Sequence, residues 1–222
     1  MGACCGSCPP SRDGLTARRR RVLTIVLALN AAMFAVESAW SVIAGSSALQ
    51  ADALDFLADT LTYGLTLYVL ERSPAVRARA ALAKGVSLGI MAAAVLGAAA
   101  WRALAAAPPE PGAMGAVAIL ALAANLTSVL LLYRFRDGDA NMASVWQCSR
   151  NDAVGNLAVI AAAVGVSVSG GAWPDLAVAV AMAGLFLGSC RTVTRRARRE
   201  LDAAADQDIW TPDDAVLREN HT

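Results

Sequence analysis

The chain has 222 residues, of which 57% are hydrophobic and only 17% are charged, and its mean hydropathy is +0.50. Soluble globular proteins are about 45–50% apolar and about 25% charged, so this composition excludes an ordinary soluble domain and indicates a membrane protein. The formal net charge of +1 gives no reason to expect a nucleic-acid partner.

Six apolar stretches follow one another along the chain, each close to the ~20 residues that a helix needs to cross about 30 Å of hydrocarbon. The segments between them mostly contain glycine, proline or charge, as turns do. The longest predicted break is ERSPAVRARAALAKG at 71–85. The sequence therefore predicts an all-α polytopic membrane protein with six transmembrane helices, at residues 22–44, 48–70, 85–106, 113–133, 143–168 and 173–190.

The basic residues predict the orientation of these helices. Of the 19 lysines and arginines, 17 lie in the N-terminal tail, the second and fourth breaks or the C-terminal tail, and only Arg102 and Arg150 lie elsewhere. By the positive-inside rule, both termini are predicted to be cytoplasmic. The predicted organisation is a cysteine-containing cytoplasmic tail (1–20), a six-helix transmembrane domain (21–190) and a short cytoplasmic C-terminal tail (191–222).

The N-terminal tail contains three closely spaced cysteines, Cys4, Cys5 and Cys8. In a reducing cytoplasm they are expected as thiols, which attract soft metal ions such as Zn²⁺, Cd²⁺ and Cu⁺. Two interpretations stay open: a metal-capture arm, or a disordered tail in which the cysteines are incidental.

Five acidic side chains fall within the predicted spans: Glu37, Asp52, Asp55, Asp59 and Asp152. An ionised carboxylate near the bilayer centre costs about 2.5–3.5 kcal/mol, and the one basic residue well inside a span cannot neutralise all five. The chain must offset this cost with protons, water or a metal ion. The pattern therefore favours a water-lined cavity that holds exchangeable protons or metal.

The spacing of three of these acids and one cysteine predicts a metal site. Asp55 and Asp59 are four residues apart and lie on one face of the second span, and Cys148 and Asp152 repeat this spacing on the fifth. Two such pairs on facing helices can close a tetrahedral site with the four N, S or O ligands that Zn²⁺ prefers. The predicted ligands are Asp55, Asp59, Cys148 and Asp152.

Other polar residues in the spans have structural alternatives. Asp52 extends the Asp55 face outward and is expected to be a helix cap or packing hydrogen bonder, or at most an outer relay. Asp175, in the sequence WPD, is expected at a helix terminus, and Cys148 alone could be a small buried hydrophobe. The accessory polar residues are Asp52, Asn30, Glu37 and Asn156; hydrogen bonds between helices would also explain Asn30, Glu37 and Asn125.

Three segments resemble helices of the cation diffusion facilitator transporters. SSALQADALDFLADTLTYGLTLYVL (46–70) resembles the second helix of that family, MASVWQCSRNDAVGNLAVIAAA (142–163) the fifth, and GGAWPDLAVAVAMAGLFL (170–187) the sixth. The second-helix pattern S-x-A-L-x-A-D-[AS]-x-[DH]-x-x-x-D is highly specific and ends here at Asp59. The likeness covers most of residues 20–190.

This resemblance implies a non-enzymatic homodimer that exports divalent metal from the cytoplasm in exchange for protons. It implies a central site in which Asp55 and Asp59 form the pair on the second helix, Asp152 is the aspartate on the fifth, and Cys148 replaces the usual histidine. A thiolate favours Zn²⁺ or Cd²⁺ over harder ions. No tightly bound cofactor is expected besides the transported ion, and the other partner is the lipid bilayer.

Two departures from the family pattern accompany this likeness. The only histidine is His221, in the tail, so no imidazole is available within the membrane. Most members continue into a cytoplasmic metal-binding domain, whereas only residues 191–222 follow the sixth span, so we expect a short form without that domain. The Ala- and Arg-rich composition and short breaks favour a bacterial inner membrane.

Two other functions are weighed against transport. An intramembrane aspartyl protease needs a G-x-G-D motif on one helix and Tyr-Asp on another, but the Gly138–Asp139 pair lies in a predicted loop and no tyrosine precedes an aspartate. The alternative that stays open is a metal-binding sensor or accessory membrane protein that does not transport.

Overall fold

Helices make up all of the regular structure in the part of the chain that the computed structural model describes, residues 17–69, 74–105, 107–135 and 140–209. The predicted all-α fold is confirmed. The elements in chain order are α1 (Ala17–Ile43), α2 (Ser47–Val69), α3 (Pro74–Ala105), α4 (Pro111–Leu132), a short 3-10 turn (Tyr133–Phe135), α5 (Ala140–Ser169) and α6 (Trp173–Ile209).

Local sequence explains where several helices begin and end. Gly45 lies between α1 and α2 with φ 64°, and Gly170 lies between α5 and α6 with φ 65°. Both are in the left-handed region, which glycine adopts without a steric penalty. At the start of α4, Pro111 occupies the first turn and the Glu110 side chain accepts hydrogen bonds from the first backbone N–H groups.

The helices pack mainly as three pairs, α1 with α2, α3 with α6 and α4 with α5. Helix α2 also contacts α3, α5 and α6, so it lies near the middle of the bundle. Small residues allow this close packing: a Cβ added to Gly85 of α3 would lie 2.6 Å from the Thr194 hydroxyl of α6. The main core cluster is likewise rich in alanine, including Ala48, Ala51, Ala92, Ala118, Ala162 and Ala183.

Polar and apolar side chains are distributed as a bilayer requires. Large apolar side chains are exposed on every one of the six helices, for example Val42, Leu61, Ile90, Leu130, Val168 and Leu185. Several acids and amides are buried instead, including Glu37, Asn30 and Asp52. Lipid favours this arrangement, because apolar groups then face hydrocarbon and polar groups face one another.

Five of the six helices, α1 and α3 to α6, are long and apolar enough to cross a membrane. Helix α2 has 23 residues and so spans about 34 Å, but its three aspartates lower its hydropathy. Four neighbouring helices contact it, which shields it from lipid. The protein is therefore an integral multi-pass membrane protein in which the span that carries three aspartates contacts four other helices.

The predicted break at 71–85 is wrong over most of its length. Helix α3 begins at Pro74, about ten residues earlier than expected, and Lys84 is a buried residue of this helix. Proline suits the first turn of a helix, and the alanines and arginines that follow are strong helix formers. Similarly, α6 continues past residue 190 to Ile209. Cys4, Cys5, Cys8 and His221 lie outside the described residues.

The N-terminus of α2 is capped by a side chain from another helix. Asp175, in the first turn of α6 and 1% exposed, accepts hydrogen bonds from the Ser46 hydroxyl (2.5 Å), the Ser47 N–H (2.8 Å) and the Ala48 N–H (3.0 Å). The Ser46 hydroxyl in turn accepts from the Leu49 N–H at 3.0 Å. A carboxylate at this position satisfies orphan donors and interacts favourably with the helix dipole.

Replacing this capping carboxylate should destabilise the bundle. In Asp175→Asn the side chain loses its charge and presents an N–H₂ group to backbone donors, at a cost of about 1–3 kcal/mol. For a chain of this size we expect a melting temperature lower by about 5 °C. Thermal unfolding in detergent measures this, with Asp202→Asn, at an exposed position of the same helix, as the matched control. Equal melting temperatures for the two variants would contradict the capping role.

Candidate metal site

The acidic residues of α2 project from one face over two helical turns. Asp52 and Asp59 are buried and Asp55 is partly buried. The i, i+3 and i+4 spacings place these side chains above one another, as the sequence predicts. Because the helix begins at Ser47, Asp52 lies inside it and is not its cap, a role that Ser46 and Asp175 fill.

Three of the four predicted ligands line a single narrow cavity inside the bundle. The cavity wall brings carboxyl groups from α2 and α5 together with amides from α1 and α4. Its lining residues are Asn30, Asp55, Phe56, Asp59, Asn125 and Asp152. Five of the six lining residues thus carry a carboxyl or amide oxygen, a ligand type that binds cations in proteins.

The carboxyl groups of Asp55 on α2 and Asp152 on α5 lie within hydrogen-bond reach of each other. Two ionised carboxylates repel at this distance, so the pair requires a proton or a cation between them. Lys84 of α3 acts electrostatically on Asp55. The pair is therefore the part of the cavity where positive charge is needed most.

Asp59 is held in place by a neighbour on its own helix. The Tyr63 hydroxyl, four residues further along α2, donates a hydrogen bond of 2.5 Å to Asp59 Oδ2. The tyrosine is only 1% exposed, so its ring is fixed in the apolar core that it shares with Leu23 and Leu132. Tyr63 therefore orients the Asp59 carboxyl, and Asp59 is also one of the residues that line the cavity.

Cys148 is buried, at 3% exposed, one helical turn before Asp152 on α5, but it is not part of the cavity wall. Among the described residues, no three Cys, His, Asp or Glu side chains are close enough together to ligate one ion. The four-ligand site thus stays a prediction. The guanidinium of Arg150 lies 5.4 Å from the Trp146 ring centroid and is exposed, so its charge is held at the protein surface.

A second polar group lies one turn further along α2, around Asp52. The Asn125 amide of α4 donates to Asn156 Oδ1 at 2.9 Å, and Asn156 of α5 donates to Asp52 Oδ2 at 2.6 Å. All three side chains are nearly fully buried. Asn125 and Asn156 therefore bond helix to helix, while Asn30 donates to the Val26 carbonyl of its own helix at 2.8 Å.

Glu37 completes this second group from α1. It is fully buried, and its carboxyl lies within hydrogen-bond reach of the Asp52 carboxyl. In the described part of the chain, α2 thus makes two acid–acid contacts, Asp55 with Asp152 and Asp52 with Glu37.

Sequence reasoning missed two residues around the candidate site, Tyr63 and Lys84, and it missed the contact of Asp175 with α2. The i, i+4 spacing of Asp59 and Tyr63 is a signal that could have revealed their hydrogen bond. For Lys84, the proline at the start of α3 could have indicated that the residue belongs to a helix. No local signal connects Asp175 to the start of α2, because the two are about 130 residues apart.

Comparison with known proteins agrees with this architecture. Residues 23–201, about four fifths of the chain, match a family model described as the cation efflux transmembrane domain. No curated protein matches the chain. The matched region runs from the beginning of α1 through most of α6 and so includes the whole cavity wall. The chain therefore belongs to the cation efflux family, the cation diffusion facilitators, whose members are membrane transporters of metal cations.

Proposed function

We propose that this member of the cation efflux family exports Zn²⁺ or Cd²⁺ from the cytoplasm in exchange for protons. The ligands in this proposal are Asp55, Asp59 and Asp152, with Cys148 as the fourth. The observation that carries it is the convergence of three carboxyl groups from two helices on one cavity inside a membrane bundle.

The charge of the cavity supports a divalent cation as the transported species. Three ionised carboxylates would each cost about 2.5–3.5 kcal/mol in a membrane interior without a counter-ion. A divalent ion offsets most of that charge, and protons replace it when the ion leaves, because carboxylate and thiolate ligands bind metal only when deprotonated. Metal and protons therefore compete for the same oxygens, which is the chemical basis of exchange.

Cys148 supports the choice of Zn²⁺ and Cd²⁺ among the divalent ions. Its side chain is buried one turn from Asp152, so a rotamer change or a small helix movement would bring the sulfur toward the carboxyl pair. A thiolate is a soft ligand, which favours Zn²⁺ and Cd²⁺ over Mn²⁺ and Mg²⁺. In the same proposal, Cys4, Cys5 and Cys8 capture metal at the cytoplasmic face.

The cellular setting of the proposal is a homodimer in a bacterial inner membrane with both termini in the cytoplasm. The bias of basic residues supports the orientation. The homodimer is what the resemblance to the family implies, and the apolar side chains exposed on the helices suit either lipid or a second copy as neighbours.

The first test removes one carboxylate from each acidic helix. Asp55→Asn and Asp152→Asn keep side-chain size but lose a charged ligand, so Zn²⁺ affinity should fall by more than the ~10–100-fold that follows loss of a supporting contact. Zinc entry into proteoliposomes with an opposing proton gradient, followed with an internal dye, should fall to the level of empty liposomes.

Asp202→Asn, at an exposed position of α6, should transport at the wild-type rate. Wild-type flux in both site variants would contradict the ligand assignment. Stoichiometric Zn²⁺ binding by the wild type without any flux would instead support the alternative, a sensor or accessory protein.

The second test addresses ion preference. Cys148→His replaces a soft sulfur with nitrogen and should retain Zn²⁺ transport, while the Cd²⁺/Zn²⁺ rate ratio falls about tenfold, equivalent to ~1.4 kcal/mol. Parallel flux measurements with both ions give this ratio. A matched pair of deletions, Cys148→Ala and Cys190→Ala, separates ligation from packing: only the first should change the ratio. Equal loss of both ions in Cys148→His, or an unchanged ratio, would count against Cys148 as a ligand.

A further inference from the structure

Glu37 is a fully buried acid for which the described part of the chain supplies no hydrogen bond. Neither carboxyl oxygen accepts a hydrogen bond from any donor in the described residues, although the side chain is 0% exposed. Its carboxyl instead lies within hydrogen-bond reach of the Asp52 carboxyl across the α1–α2 interface. Such a contact between two acceptors is stable only when a proton lies between them.

The amides next to Asp52 form a short chain of hydrogen bonds that ends at one oxygen of its carboxyl. Asn156 donates its amide to Asp52 Oδ2, and its own carbonyl oxygen accepts from Asn125. This chain of two bonds fixes the orientation of both amides, since reversing either would place like atoms against each other. Asp52 is thus held as an acceptor on one side, and the shared proton belongs on the side of Glu37.

The charged groups that face Glu37 are both carboxyls of α2, Asp52 and Asp55. Helices α4 and α5 contribute the neutral amides Asn125 and Asn156 to this group. A cation, Lys84 of α3, acts electrostatically on Asp55. Among the described residues, the surroundings therefore favour a proton at Glu37 over an ion pair.

We propose that Glu37 and Asp52 form a proton-binding site, separate from the metal ligands, that carries a proton exchanged for the metal ion. This inference rests on the proposed antiport. When a divalent ion binds at Asp55, Asp59 and Asp152, its positive charge one helical turn away favours release of the proton from the Glu37–Asp52 pair to water. The pair then goes from one negative charge to two, and the return of the proton weakens metal binding in the same way.

The absence of histidine from the membrane domain gives this pair its importance. The only histidine of the chain, His221, lies after the last helix, so no imidazole within the spans can take up the exchanged proton. A carboxyl pair that shares one proton can take up and release the exchanged proton instead of an imidazole. It lies next to the metal ligands but does not need to leave the metal in order to change its protonation.

The test counts protons released per zinc ion bound by the purified full-length protein in detergent. Zinc is added in weak buffer with a pH-sensitive dye, and bound zinc is counted separately. Glu37→Gln should bind as many zinc ions as the wild type but release about one proton fewer per ion. Asp52→Asn, which can still accept the Asn156 bond, should show the same loss. Glu110→Gln, at the exposed cap of α4, is the control and should release the wild-type number.

A second measurement detects the protonated carboxyl by spectroscopy and does not depend on counting released protons. Zinc-induced infrared difference spectra should show loss of a protonated carboxyl band in the wild type, and this band should be absent in Glu37→Gln. Wild-type proton release and an unchanged band in both variants would overturn the inference while leaving the metal site intact. A wild-type protein that binds no zinc would overturn the proposed function itself, so the two failures are distinguishable.

Discussion

The structure depends on enclosing the carboxyl groups of α2 within a membrane. Each ionised acid exposed to hydrocarbon costs about 2.5–3.5 kcal/mol, so a helix with Asp52, Asp55 and Asp59 cannot face lipid on that side. The bundle meets this constraint by packing α2 against α1, α3, α5 and α6. Close packing in turn requires small contact residues, which explains the alanines of the core and the glycine of α3 that touches α6. The apolar residues left over face outward on every helix.

The partner of each acid along α2 indicates its role. At the start of α2, the Asp175 carboxyl of α6 accepts three hydrogen bonds from hydroxyl and backbone donors, so its role is structural. Asp59 accepts a hydrogen bond from Tyr63 and also lines the cavity. Asp55 and Asp52 lie against other acids, Asp152 and Glu37 respectively, although Asp52 also accepts a hydrogen bond from Asn156. Hydrogen-bond donors thus give Asp175 a structural role, whereas each acid–acid contact requires an exchangeable positive charge.

The sequence predicted the features that repeat locally and missed those that join distant segments. The i, i+4 spacing predicted that Asp55 and Asp59 lie on one face of α2, because a helix converts spacing directly into position, and both line the cavity with Asp152. It did not show that Cys148 lies outside the cavity wall, since a one-turn difference in depth depends on how two helices pack. Asp175 caps α2, and Lys84 acts on Asp55, through tertiary interactions. No periodic pattern in a single sequence predicts interactions between such distant residues.

Exchange of metal for protons requires that the bound metal ion and the bound proton strongly weaken each other's binding. The spacing of the acids on α2 supplies such an effect. Side chains three residues apart on a helix lie about 5–6 Å from each other, and Asp52 and Asp55 have this spacing. At an effective dielectric constant near 20, one unit charge at that distance changes the energy of another by about 3 kcal/mol, or roughly a hundredfold in affinity. A divalent ion at the Asp55 level would act still more strongly on a proton at the Glu37–Asp52 level. Because such coupling is reciprocal, the proton weakens metal binding by the same factor, so a single helix can link two sites without a moving relay.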